Sequence, residues 1–200
     1  MMSRSLRADE DGVTLVELIV ALVISAMFGG VLALMFVNGW GAQERSVSRD
    51  TATGQANLVK TTMSDSLRNA TSLRVSDSGK RLDALVAVPS TSFTGTWTWE
   101  CRAWTLTDES IRFSQGTTIR DSDPATWTVI AGKSAQHPGD KVAGTISGAP
   151  FALAATNSVQ IGLAITVTAS KAETVSVTDG MTAQTVATAT ERAGAPHCWL

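Results

Sequence analysis

The chain has few of the residues that usually carry chemistry. Among its 200 residues there are two cysteines and two histidines. Cys101 and Cys198 stand far apart, so no CxxC pair supplies the spacing of a zinc site or of thioredoxin-like redox chemistry. His197 lies beside Cys198, but the only other imidazole is His137, and the two lack ligand spacing; no metal site is expected through them. Also missing are a GxSxG elbow, an HExxH pair and a Gly-rich phosphate loop ending in Lys-Ser or Lys-Thr. These absences argue against an enzyme and leave no cofactor to expect. Charge is sparse as well: 17% of residues are charged, the net charge is -2 and the basic residues are scattered. Such a chain has no field that would concentrate nucleic acid, which is therefore not an expected partner.

What the sequence does have is one long apolar run. Residues 1–12 are polar and end in Gly12, and from Val13 to Val37 Glu17 is the only charged residue. The order is wrong for a secretory signal peptide, because the apolar segment is not followed by a small-residue cleavage site. As a helix, Val13 to Val37 would extend about 37 Å, enough to cross a hydrocarbon core of about 30 Å with some tilt. A buried helix of a soluble protein rarely stays apolar on every face, as Leu18-Ile19-Val20-Ala21-Leu22-Val23-Ile24 would. Arg4 and Arg7 precede the span and Arg45 and Arg49 follow it, so flanking charge barely decides its orientation. Glu17 is the anomaly, because an ionised acid in a membrane helix costs about 2.5–3.5 kcal/mol at the bilayer centre and less near an interface. A partner or a function should accompany it.

Gly12-Val13-Thr14-Leu15-Val16-Glu17-Leu18, followed by a membrane-length apolar helix, resembles the prepilin signature of type IV pilins and type II secretion pseudopilins. The resemblance implies cleavage by prepilin peptidase between Gly12 and Val13, with Val13 as the N-methylated terminus. Glu17 would be the fifth mature residue and would pair with the terminal amine of a neighbouring subunit, a pairing that offsets the cost of a buried carboxylate. Two departures stand out: Val13 replaces the more usual Phe or Met, and Asp9-Glu10-Asp11 stands where many leaders are basic. The implied partners are prepilin peptidase, other pilin or pseudopilin subunits, the inner-membrane assembly platform and membrane lipid. The implied location is the cytoplasmic membrane, with an extracytoplasmic C-terminal domain, and then the filament.

Beyond the span, Trp40 suits a membrane interface. Ala56, Val59, Met63, Leu67, Ala70 and Leu73 recur three or four residues apart, which predicts an amphipathic continuation of the helix to about residue 74. Gly54 costs the helix about 1 kcal/mol relative to Ala, and Gly29-Gly30, a similar weak point, is either a hinge or a site of close helix packing. Asp77-Ser78-Gly79-Lys80 reads as a turn, and strands are expected over 81–88, 96–106, 111–113, 159–167 and 183–192, with a hairpin turn at Asp108-Glu109. The fold class is α+β, with the long helix packed on an antiparallel sheet domain; the pilin fold has this form. The expected organisation is a leader over 1–12, a transmembrane half over 13–37, an amphipathic half over 38–76 and a β-rich domain over 77–200.

Within the resembled family, the large domain, Ser66-Leu67-Arg68-Asn69-Ala70 and the hairpin from Cys101 suggest a minor subunit of the J-like type that helps initiate or cap a filament. In an extracytoplasmic domain Cys101 and Cys198 either form a disulfide, stabilising by about 4.7 kcal/mol through loop closure, or remain separate thiols. Asp121, Asp123 and Asp140 lie in loops that could offer oxygens to calcium, but without the spacing of a known calcium loop they read as solvated acids. Trp97, Trp99, Trp104 and Trp127 read mainly as core, with an exposed pair as a contact surface the other choice. The alternative function is a filament-displayed adhesin or a DNA-uptake module.

Overall fold

The computed structural model describes residues 13–89, 97–120, 123–168, 172–185, 192 and 194–199. The chain divides into two units, Met1–Gln43 and Glu44–Leu200. One helix, α1 (Leu15–Arg68), begins in the first unit and ends in the second. In the first unit every described residue from Val13 to Trp40 is exposed. Burying a single Leu, Val or Phe side chain is worth about 1.5–3 kcal/mol, so a helix with all of them uncovered is unsuited to water and suited to lipid. The helix is long and apolar enough to cross a membrane. Near the end of the apolar run the rings of Phe36 and Trp40 pack at a tilt of 50°, their centroids 5.9 Å apart.

In the second unit α1 becomes one-sided. Ser48, Ala52, Ala56, Val59, Met63, Ser66 and Leu67 are buried, a spacing of three and four that lays one face on the β domain. Two antiparallel sheets receive it. The first has the simple order β1 (Ala70–Ser76), β2 (Arg81–Pro89), β3 (Trp97–Thr107), β4 (Ser110–Gly116) and β5 (Thr128–Gly132). In the second, β6 (Lys141–Gly144) and β7 (Phe151–Ala155) lie end to end along one edge of β8 (Ser158–Thr168), and β9 (Ala172–Thr182) takes the other edge. The core gathers Val59, Met63 and Leu67 from the helix, Leu82, Val86, Trp104 and Ile111 from the first sheet, and Phe151, Ile161, Leu163 and Ile165 from the second. Gly162 interrupts the most apolar strand for a local reason: a Cβ there would collide with the side chains of Thr145 and Ile146, which cross it.

Four of the expected strands are present, as β2, β3, β4 and β8, and Asp108 and Glu109 form the hairpin turn, both in the left-handed region (φ 49° and 59°). The helix is shorter than its periodicity suggests. It stops at Arg68, and residues 70–76, assigned above to its amphipathic half, form β1. The register with β2 explains the difference. Between Ala70 and Ser72 the partner advances only from Val86 to Leu85, so Thr71 is an extra residue in a β-bulge. The bulge shifts the parity of the strand and lets Ala70 and Leu73, three apart, both face the core, which imitates a helical stripe. The last strand is also displaced: β9 spans 172–182, residues 183–185 lie outside any strand, and 186–191 fall outside the described residues. Gly29, Gly30 and Gly54 all lie within α1 and carry no break in it.

Candidate functional site

The opening turn of α1 is built by two residues of the N-terminal motif. The backbone carbonyl of Thr14 accepts the first helical bond from Leu18 N at 3.1 Å, and Thr14 Oγ1 accepts from Glu17 N at 3.3 Å. Thr14 is therefore the helix cap, and Thr14-Leu15-Val16-Glu17 has the spacing of a capping box. That role was readable from a threonine three residues ahead of an acid at the start of an apolar run, and the sequence reading missed it. Glu17 also places its charge in the first turn, where the helix dipole favours an anion. Its carboxylate is exposed and has no hydrogen-bond or ion-pair partner among the described residues. Val13 is exposed beside it, and Gly12 lies outside the described residues.

The two cysteines come together at the far end of the chain. Cys101 on β3 and Cys198 in the C-terminal segment form a disulfide, with Cα atoms 5.2 Å apart. Around it a second small core forms from Leu85, Ala87, Trp99, Cys101 and Cys198, with Ala195 and Trp199 packed against it. These strand residues lie on the face of the first sheet opposite the helix, since Leu82, Ala84, Val86 and Trp104 occupy the helix side. The C-terminal segment thus covers part of that back face.

Beyond that segment the back face carries arginines that hold polar partners, beside the buried Ala103 and Trp127. The Arg81 guanidinium donates to both carboxylate oxygens of Asp83, from Nε at 3.0 and 3.1 Å and from Nη2 to Oδ1 at 2.9 Å, and stands 5.0 Å from the centre of the Trp127 ring. Arg81 also donates to the carbonyl of Arg120, Arg120 to those of Gln115 and Thr118, and Arg112 to those of Pro124 and Ala125. Asp83 is almost wholly buried. Burial raises its pKa from the ordinary value, while the hydrogen bond and charge of Arg81 and the charge of Arg74 act in the opposite direction. The arrangement fixes the segment between β4 and β5; it forms no catalytic dyad.

The loop acids do not converge. Asp123 accepts from Ala125 N at 2.9 Å and caps a short 3-10 turn, and Asp121 lies outside the described residues. Asp140, read above as solvated, is buried instead: Oδ2 accepts from Gln55 Nε2 at 2.9 Å and Oδ1 from Thr168 N at 3.1 Å. The reason is the helix above it, because Gln55 also accepts from Gly132 N at 2.9 Å and so bridges both sheets. Among the described residues no three His, Cys, Asp or Glu side chains gather as a metal site. Of the four tryptophans of the β region, Trp99, Trp104 and Trp127 are buried, while Trp97 is 47% exposed.

An uncovered apolar helix segment with a capped, acid-bearing first turn, and a one-sided helix segment on antiparallel sheets, define a pilin-like α+β architecture whose N-terminal helix is long and apolar enough to serve as a single-pass membrane anchor. The prokaryotic N-terminal methylation motif matches residues 7–33, and this match supports the likeness of the chain to type IV pilins and pseudopilins. Processing by prepilin peptidase and assembly with other pilin subunits go with that motif. No curated protein and no solved structure matches the chain.

Proposed function

We propose that the chain is a minor pilin or pseudopilin, cut between Gly12 and Val13, N-methylated at Val13, and built into a type IV pilus or a type II secretion-like pseudopilus near its initiating end. In this reading residues 1–12 are the leader, 13–37 cross the cytoplasmic membrane, and the remainder is extracytoplasmic. The assembly platform and membrane lipid are its other partners. The observation that carries the reading is the unpartnered Glu17 carboxylate on an otherwise apolar, uncovered helix. An acid in that setting is costly alone and tolerable when paired, and the free amine at Val13 of a neighbouring subunit supplies the opposite charge.

The test has two parts. Mass spectrometry of protein extracted from membranes with active prepilin peptidase should find Val13 as a methylated N-terminus; an intact leader refutes the cleavage assignment. Glu17→Gln should leave membrane insertion and cleavage intact while reducing recovery in sheared filament or pseudopilus fractions by about tenfold, the effect of removing about 1.4 kcal/mol of subunit pairing. Undiminished recovery would remove Glu17 from the assembly contact.

A further inference from the structure

Among the described residues strand β9 has no strand partner on the edge away from β8. It pairs with β8 from Ala172 to Thr182 without a register shift, and contains no proline, lysine or bulge, the usual means of blunting an edge. Its free groups follow from the other side of β8. Gly162 N donates to the carbonyl of Pro150 at 2.9 Å, and the Gly162 carbonyl accepts from Thr145 N at 3.0 Å, so both groups turn away from β9. Gly162 is paired with Thr178, and in an antiparallel ladder both members of such a pair turn their backbone groups outward. By the two-residue alternation Thr174, Ser176, Thr178 and Gly180 all direct N–H and C=O away from the sheet. Gly180 shows what such a group recruits: its N–H donates to Oδ1 of the adjacent Asp179 at 2.9 Å.

Beside this edge lies a crevice of about 260 Å³, walled by Lys60, Ser64 and Arg68 of the helix and by Asp179 to Thr182 of β9. Lys60 is spent on Asp179, at 2.9 Å. The Arg68 guanidinium is exposed and has no partner among the described residues. A row of backbone donors and acceptors ending beside an unmatched guanidinium matches an extended segment bearing a carboxylate.

We infer that the outer edge of β9 accepts an extended strand from another subunit, with an Asp or Glu side chain of that strand bound by Arg68 in the adjoining crevice. That the strand comes from a subunit rests on the filament reading; the edge and its charge preference do not. A suitable probe is the blocked peptide Thr-Val-Thr-Val-Glu-Val-Thr, with its Lys-for-Glu counterpart, added to the full chain in detergent micelles. The acidic peptide should slow hydrogen exchange at the outward amides of Thr174, Ser176 and Thr178 by about tenfold or more, and bind at least about fivefold tighter than the Lys peptide. Ser176→Pro removes one outward donor while sparing the bonds to β8, and should abolish that protection. Arg68→Glu, at an exposed helix position, should reverse the preference between the two peptides. Unchanged exchange at saturating peptide, equal binding of both peptides, or full protection in Ser176→Pro would each overturn the inference. If Val13 is the processed terminus while these amides stay unprotected, the edge inference fails and the filament reading stands; an intact leader with protected amides is the converse.

Discussion

Removing the Cys101–Cys198 bridge should cost the β domain a large part of its stability. The cysteines are 97 residues apart in sequence, so the bridge closes most of the second unit into one loop. In the chain-entropy account a loop of this length restricts the unfolded ensemble by about 4.7 kcal/mol, against total stabilities of about 5–15 kcal/mol for domains. Release of the C-terminal segment would also uncover Leu85, Ala87 and Trp99, which are at most 8% exposed. The comparison is wild type with and without reductant, and Cys101→Ser/Cys198→Ser, as full chains in detergent, unfolded in urea and followed by tryptophan fluorescence. With a urea slope of about 2 kcal/mol per molar, the midpoint should fall by about 2 M. Reduction without mutation isolates the cross-link from the change of side chain. A fall of less than about 0.5 M in both samples would refute the reasoning, because the C-terminal segment would then be held by packing and the loop would already be constrained when unfolded.

Gln55→Leu should destabilise by about 2–5 kcal/mol in the same urea assay, because it leaves the buried Gly132 N–H and one oxygen of buried Asp140 without their partner; a loss under about 0.5 kcal/mol would show that water replaces the glutamine. Two aspartates should act on acid stability with opposite signs. The pKa of Asp83 is raised in the fold, so its contribution weakens stability as pH rises from the ordinary value of 3.8 through the folded value, and Asp83→Asn should remove that slope. The pKa of Asp179 is lowered, chiefly by its bond from Lys60 and further by Gly180 N–H and the charge of Lys60, against a smaller effect of burial. Its stabilisation is present above 3.8 and lost as pH falls through the folded value, and Lys60→Met should diminish it; melting temperatures between pH 3 and 6 read both.

The parts of this fold that were legible in the sequence are those in which one force dominates. The span declared itself because 25 positions carry a single charge, and β8 because Val159, Ile161, Leu163, Ile165 and Val167 alternate over one buried face. Strand β2 was expected from the turn before it and from period-2 patterning; it is present, but Leu82 to Ala87 are all buried and do not alternate in exposure, since the helix covers one face while the C-terminal segment and the arginine-held segment cover the other. The end of α1 was misread because a bulge at Thr71 gives a strand the spacing of a helix. Strand β9 was missed because its outward face is Ala172, Thr174, Ser176, Thr178 and Gly180, whose small polar side chains carry little strand signal beside the half-buried Val175 and Val177. In the candidate site, the acid of the motif was legible from its cost in lipid. The cap formed by Thr14 and the bridging role of Gln55 depend on hydrogen-bond partners that composition does not show.

The segment laid across the back of the first sheet is fastened by guanidinium groups on backbone carbonyls. Neither party to such a bond titrates in any habitable medium, and a carbonyl has no net charge for salt to screen. An attachment of this kind keeps its strength from acid to alkali and from fresh water to brine. The ion pairs around Glu109, 3.1 Å to Lys141 and 3.9 Å to Lys133, do not share that indifference. The same face also carries the Arg81–Asp83 ion pair, whose carboxyl does titrate, so the indifference belongs to the carbonyl attachments and not to the whole face.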